Sequence, residues 1–200
     1  MAADQTAPRT KAEWRSYLRA SRSSVPAETH EREARAITKA ATSLPALREG
    51  STVCYYVPFG PEPGSLDLLE VLVDQGAQVL LPIVPATPGP LDWARYDGPD
   101  SLAPGPLPGL IEPAGPRLGS AAIKDANIVL IPAVGVDHAG VRLGRGAGYY
   151  DRSLPLTAPG TELVAIVRDN ELVPRLPAEP HDVRMTAAVT PDAGLITLPR

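Results

Sequence analysis

One cysteine in 200 residues leaves no partner for an intrachain disulfide, so packing rather than covalent cross-linking must hold the chain together. Cys54 lies in the apolar run from Thr52 to Val57, where a buried strand thiol is expected. An activated thiolate would need a neighbouring base or a helix N-terminus, and neither is evident. No apolar run approaches the roughly 20 residues of a membrane span. Charges at Asp4, Arg9, Lys11, Glu13, Arg15 and Arg19 leave no signal-peptide core. The expected location is cytoplasmic, with no membrane association. A basic excess is missing too: the formal net charge is -4, which argues against general nucleic-acid binding. Two phosphate motifs are absent as well. No Gly-Lys-Ser or Gly-Lys-Thr closes a P-loop, and a dinucleotide fingerprint begun at Gly144 fails because Tyr149 stands where its last glycine belongs. There is no internal repeat, no second-domain boundary and no sign of an obligate protein partner.

What the chain does have is concentrated between Val136 and Arg152, where glycines, cations, tyrosines and a carboxylate fall together. Gly144, Gly146 and Gly148 alternate, which lets the backbone approach an anion and point N–H groups at it without a Cβ in the way. Arg142 and Arg145 can give charge-assisted hydrogen bonds to phosphate oxygens. Asp151 is an oxygen ligand suited to the magnesium that accompanies a nucleoside triphosphate, or else a carboxylate favoured at a helix N-terminus. The candidate ligand is ATP on a fold other than the two excluded ones.

Near the start, Thr10 can cap a helix carrying Trp14, Tyr17 and Leu18 on one face. Lys11, Arg15, Arg19 and Arg22 are spaced four, four and three apart, forming a one-sign stripe without interspersed carboxylates. Like charges four apart are mildly destabilising, so the stripe predicts an anionic partner, with a merely solvated face as the alternative. Pro26 opens a second helix through about Leu44, with Ile37, Ala40, Ala41 and Leu44 buried. Runs at Val53 to Val57, Val79 to Val84, Ile128 to Ile131 and Leu163 to Val167 read as buried strands, and Leu66 to Gln75 as an intervening helix. The class is α/β. Residues 85–120 are rich in proline and glycine, with Leu91 to Tyr96 as a short strand, predicting a long ordered excursion over one sheet end. Residues 1–8 are expected to be a loose tail and 9–200 a single domain.

The block Leu143-Gly-Arg-Gly-Ala-Gly-Tyr-Tyr-Asp151, preceded by Ile131-Pro132-Ala133 and Val136-Asp137, closely resembles the glycine-rich block of the 5-formyltetrahydrofolate cyclo-ligases, also called methenyltetrahydrofolate synthetases. The resemblance extends to Lys11, Arg15, Tyr56, Glu62, Leu91-Asp92-Trp93-Ala94, Glu112-Pro113, Glu171-Leu172 and His181-Asp182. It implies a three-layer α/β sandwich with a mostly parallel central sheet. The ligand cleft would lie beyond the strands' carboxyl ends, near Pro58 to Glu62, Val136 to Arg152 and Arg168 to Asp169. It also implies ATP- and magnesium-dependent closure of 5-formyltetrahydrofolate to 5,10-methenyltetrahydrofolate, with ATP as co-substrate.

By the same resemblance, Lys11, Arg15, Arg142, Leu143, Gly144, Arg145, Gly146, Ala147, Gly148, Tyr149 and Tyr150 would line the ATP site. Asp151 and Asp182 would be magnesium ligands, Asp182 having a polar turn before an edge strand as its alternative. Glu62 would take the pterin ring, with Tyr56, Gly148, Tyr149 and Tyr150 near the folate. Trp93 would pack on the folate or simply be a buried aromatic, and His181 is read as structural. The sequence departs from the family pattern at Pro63-Gly64-Ser65, where Ser65 can replace the usual helix cap, and at Ala147, where relatives often carry lysine or glycine. Arg145 or Lys11 would then supply the catalytic charge. Two other classes stay open: a folate- or nucleotide-binding protein that stores or senses without turnover, and a sugar-phosphate isomerase or acyl-CoA transferase on a similar scaffold.

Overall fold

The computed structural model describes residues 9–180 and 182–199; the tail at residues 1–8 and His181 lie outside the described residues. The elements run α1 (Lys11–Ser23), α2 (Ala27–Ala41), β1 (Thr52–Cys54), α3 (Asp67–Asp74), β2 (Gln78–Ile83), β3 (Asp92–Arg95), β4 (Leu102–Pro104) and β5 (Ile111–Pro113). They continue with β6 (Ile128–Pro132), β7 (Gly135–Asp137), β8 (Arg142–Leu143), α4 (Tyr149–Ser153), β9 (Glu162–Ile166), β10 (Leu172–Val173), β11 (Ala187–Thr190) and β12 (Gly194–Thr197).

The central sheet has the order β12-β11-β9-β6-β1-β2-β3. Its five inner strands are parallel, and β3 and β12 close the two edges antiparallel to their neighbours. Both faces are covered, which is why these strands read as continuous apolar runs rather than alternating ones. The pleat still sorts the side chains. Ile128 and Leu130 of β6 join Ile37 and Ala41 of α2 and Leu68, Leu69 and Leu72 of α3. Val129 and Ile131 face the opposite layer with Ile123, Leu154 and the α4 tyrosines. The three-layer expectation therefore holds. Strand boundaries fall within one to three residues of those expected. The chain after β1 stays buried through Val57, and Tyr55 N–H continues the ladder to the Leu80 carbonyl at 3.0 Å.

Helix α1 has a full capping box: the Thr10 hydroxyl accepts from the Glu13 N–H, and the Glu13 carboxylate accepts from the Thr10 N–H. Its apolar side does not pack on the central sheet. Leu18, with Trp14 beside it, meets Leu143 and Val173 of the small sheet β10-β7-β8, and Val134, Val141 and Leu176 next to its strands. Tyr17, expected on the buried face, is half exposed and stacks edge-on with Trp14 beneath the Arg9 guanidinium. Two further expectations need correction. Ser65 does not cap α3, whose N-cap is Leu66 without a side-chain bond. The strand after Asp182 is β11, which pairs with both β9 and β12 and so is not an edge.

Candidate active site

A cavity of about 390 Å³ opens beyond the carboxyl ends of the parallel strands. Tyr56 and Val57 reach it after β1, Pro82 and Val84 at the end of β2, and Pro132 and Ala133 at the end of β6. The proline-rich excursion forms one wall: Leu107, Leu110, Ile111 and Glu112 from the β4–β5 hairpin line it together with Phe59 and Leu91. Glu112 pins this hairpin to the sheet by accepting the Val84 N–H at 2.7 Å. One side of the cavity is therefore apolar.

The opposite wall is the glycine-rich block, with Arg142, Leu143, Gly144, Arg145, Gly146, Ala147, Gly148, Tyr149, Tyr150 and Asp151 all lining the cavity. Gly146 and Gly148 hold φ of 105° and 72°, a region closed to most L side chains, and a Cβ on Gly148 would meet Arg152 Nη1 at 2.8 Å. Gly148 then leads into α4, so Tyr149 to Asp151 form its first turn. Because α1 packs on the small sheet, its cationic face lies over this loop. Arg15 Nε donates to the Gly144 carbonyl at 2.8 Å, and Arg19 Nη2 to the Arg145 carbonyl at 2.8 Å. Lys11 and Arg15 both line the cavity. Arg22, the last member of the stripe, is buried instead against Glu171, with Nε to Oε1 at 2.6 Å. Its anionic partner is internal.

Each carboxylate expected to take a ligand is paired with a cation expected to take another. Lys11 Nζ contacts Asp182 at 3.1 Å and Glu179 at 3.0 Å. Arg142 pairs with Asp151, and Arg145 Nη1 with Glu62 Oε1 at 3.3 Å while its guanidinium lies 4.8 Å over the Phe59 ring. Burial pulls the Lys11 pKa down, but its hydrogen bonds to the two carboxylates and their charges outweigh this and leave the ammonium held above its ordinary value. For Glu62, burial is the largest effect and pushes its pKa up, opposed by the Phe59 N–H and by Arg145. Arg142 is held below its usual value by burial, with Asp151 opposing.

Two buried groups in the cavity wall make no hydrogen bond to protein: Arg142 Nε and the Tyr150 hydroxyl. Tyr56 also lines the cavity, but its hydroxyl is already committed to the Pro63 carbonyl. Cys54 is buried beneath the site, and desolvation pushes its thiol well up, which excludes a nucleophile there. Asp151 and Asp182 are hard oxygen donors in one cavity, which suits magnesium held mostly by phosphate and water oxygens. Among the described residues no cluster of three His, Cys, Asp or Glu could cage a metal alone.

The residues expected at the ATP, folate and metal sites thus line one cavity, Trp93 excepted. Trp93 is fully buried among Cys54, Leu80 and Val129 and does not line the cavity, so its place with the folate is replaced by a core role. It shares a face with Leu91, which does line the cavity, but stands two residues further along β3 from the cleft end, which the apolar run alone did not reveal. Arg168, expected at the cleft, also sits behind the wall rather than in it. Conversely, Phe59, Glu179 and the hairpin leucines were not anticipated. Phe59 lies within the segment already singled out, whereas the leucines lie where no periodicity exists to mark a face.

Among known proteins, residues 7–191 match the model of the 5-formyltetrahydrofolate cyclo-ligase family. The chain is 45% identical over 195 residues to a 5-formyltetrahydrofolate cyclo-ligase of Mycolicibacterium smegmatis, covering 96% of this chain and 98% of that one. It is 30% identical over 172 residues to that of Escherichia coli, covering 85% and 93%. The solved structure of 5,10-methenyltetrahydrofolate synthetase from Aquifex aeolicus superposes with a TM-score of 0.79 at 27% identity, over 95% of this chain and 93% of that one.

Proposed function

The chain belongs to the 5-formyltetrahydrofolate cyclo-ligase family, a family of enzymes, and we propose that it converts 5-formyltetrahydrofolate and ATP to 5,10-methenyltetrahydrofolate, ADP and phosphate. The observation that carries this reading is a single cavity with one apolar wall ended by Glu62 and one wall of glycine backbone and cations. A reduced folate has a flat, donor-rich pterin that suits Glu62 as acceptor, and a triphosphate suits Lys11, Arg15, Arg142 and the loop N–H groups.

The chemical problem is that a formamide is a poor electrophile with a poor leaving oxygen. Transfer of the γ-phosphoryl group to the formyl oxygen breaks the bond to ADP and makes that oxygen a phosphate ester. Attack by the folate N10 on the same carbon, with loss of the N10 proton, then expels phosphate and closes the ring. Such a transfer depends on positioning and charge neutralisation, so no nucleophilic triad is required. Asp151 and Asp182 would hold a magnesium ion beside the phosphates, and it would supply charge neutralisation there. Arg145 is the cation we assign to the transferring phosphoryl group, since Ala147 offers no charge. The unpaired Arg142 Nε and Tyr150 hydroxyl are donors whose burial is compensated once a ligand oxygen accepts from them.

Ligand binding must exchange partners. Lys11, Arg142 and Arg145 leave Asp182, Asp151 and Glu62 for phosphate oxygens, and those carboxylates turn to the metal and the pterin. The decisive test is spectrophotometric. Purified protein with 5-formyltetrahydrofolate should develop the near-ultraviolet absorbance of the methenyl product only with both ATP and magnesium present, with one ADP per ring closed. A protein that binds both ligands tightly yet forms no product would instead be a storage or sensing protein.

A further inference from the structure

The segment from Pro58 to Ser65 carries Glu62 into the cavity but has few backbone bonds of its own, since three of its residues are prolines without an N–H. Three alternate carbonyls along it are each held by one side chain from beneath. Arg168 Nη1 donates to the Pro61 carbonyl at 3.1 Å, the Tyr56 hydroxyl to that of Pro63, and the Tyr55 hydroxyl to that of Ser65 at 3.2 Å. Gly64, at φ 110°, is the residue that permits this approach, because a Cβ there would stand 2.6 Å from the Tyr55 hydroxyl. The departure at Pro63-Gly64-Ser65 thus belongs to a segment positioned from below.

Of the three anchors, Arg168 is the charged one, and the carbonyl it holds, that of Pro61, immediately precedes Glu62. It is almost wholly buried, and its fork is fixed on every side: Nε on Glu33 at 2.7 Å, Nη2 on His30 Nδ1 at 2.8 Å, and its own N–H on Glu171 at 2.8 Å. Arginine only donates, so His30 Nδ1 is the acceptor. Glu171 in turn clamps Arg22, which donates to the carbonyl of Ala133 in the opposite part of the cavity wall. Buried ion pairs of this kind add little net stability over well-packed apolar residues, because desolvation offsets attraction. What a rigid guanidinium adds is direction.

We propose that Arg168 is a positioning residue for folate recognition, acting through the Pro61 carbonyl to set where the Glu62 carboxylate stands. It touches no substrate. The inference rests on the reading of Glu62 as the pterin acceptor. Without the fork, the turn is free to shift, and Glu62 loses its place relative to the apolar wall, while the glycine-rich block is held by separate contacts from α1.

Calorimetric titration of 5-formyltetrahydrofolate alone and of ATP with magnesium alone tests this on the wild type, R168K and E33Q. R168K keeps the charge but not the fork, and should weaken folate binding about tenfold, the value of a charged hydrogen bond, with ATP affinity within about twofold. E33Q, a milder change at a partly exposed acceptor, should shift folate affinity the same way by about threefold. Wild-type protein that takes no folate sinks the functional reading and this inference with it. Wild type that binds folate while R168K binds it equally, or loses both ligands alike, sinks the inference alone. If R168K fails to fold, E33Q decides, and unchanged folate affinity in it overturns the proposal.

Discussion

On the proposed reading, the Glu62–Arg145 ion pair joins the folate and ATP subsites. Burial raises the Glu62 pKa above the ordinary carboxylate range, and Arg145 at 3.3 Å opposes that rise. A pterin acceptor must be ionised, so folate affinity should fall as pH drops through this raised pKa, at a higher pH than a solvent-exposed glutamate would require. Arg145→Met removes the opposing cation, so the pKa rises further and the acid limb of folate binding moves to still higher pH. Glu62→Gln should abolish the limb. Measuring the folate Kd against pH without ATP, where Arg145 still pairs with Glu62, checks both, and an unmoved limb in Arg145→Met would separate the two residues. Much of this site was legible in the sequence because its residues are crowded into one glycine-rich block and one capped helix. The pairing between them was not, because Lys11 and Asp182, and Arg145 and Glu62, come from segments far apart in the chain, and Arg142 meets Asp151 only through the course of the loop between them.

At the scale of elements, α1 carries two unlike roles on one cationic stripe. Lys11 and Arg15 line the cavity, while Arg22 is buried on Glu171 and Ala133. Four cations at helical spacing look equivalent in the sequence; what separates them is the burial at the helix's C-terminal end, which spacing cannot report. Lys11→Ala should raise the ATP requirement by roughly one to two decades, the value of a charge-assisted bond, and leave stability nearly unchanged. Arg22→Ala should do the reverse, costing about 3–5 kcal/mol of stability because it leaves Glu171 buried and uncompensated. Denaturant melts paired with ATP titrations distinguish them; equal effects of the two variants on both quantities would refute the division. The parallel strands were legible for a related reason: burial on both faces writes long β-branched runs. The β4–β5 hairpin and the small sheet β10-β7-β8 were not, since strands of two or three residues amid proline and glycine leave no period to read.

For the whole molecule, the consequence of internal pairing is that the ligand-free site is already neutralised, and ligands must replace contacts the protein makes with itself. Each ligand should still stabilise the fold by mass action: at a hundred times its Kd, ATP with magnesium adds about 2.7 kcal/mol. In a chain of this size that corresponds to a rise in Tm of about 5–10 °C. The two ligands together should add more than the sum of their separate shifts. Folate takes Glu62 away from Arg145, so Arg145 reaches the phosphates without first breaking a pair; by linkage, ATP helps folate by the same factor. Thermal melts with each ligand alone and with both, using a non-hydrolysable ATP analogue to prevent turnover, measure this directly. Arg145→Met should abolish the excess while retaining both separate shifts, the ATP shift being smaller. Strictly additive shifts in the wild type would mean that the subsites are energetically independent, and that the Glu62–Arg145 pair only neutralises charge in the free protein.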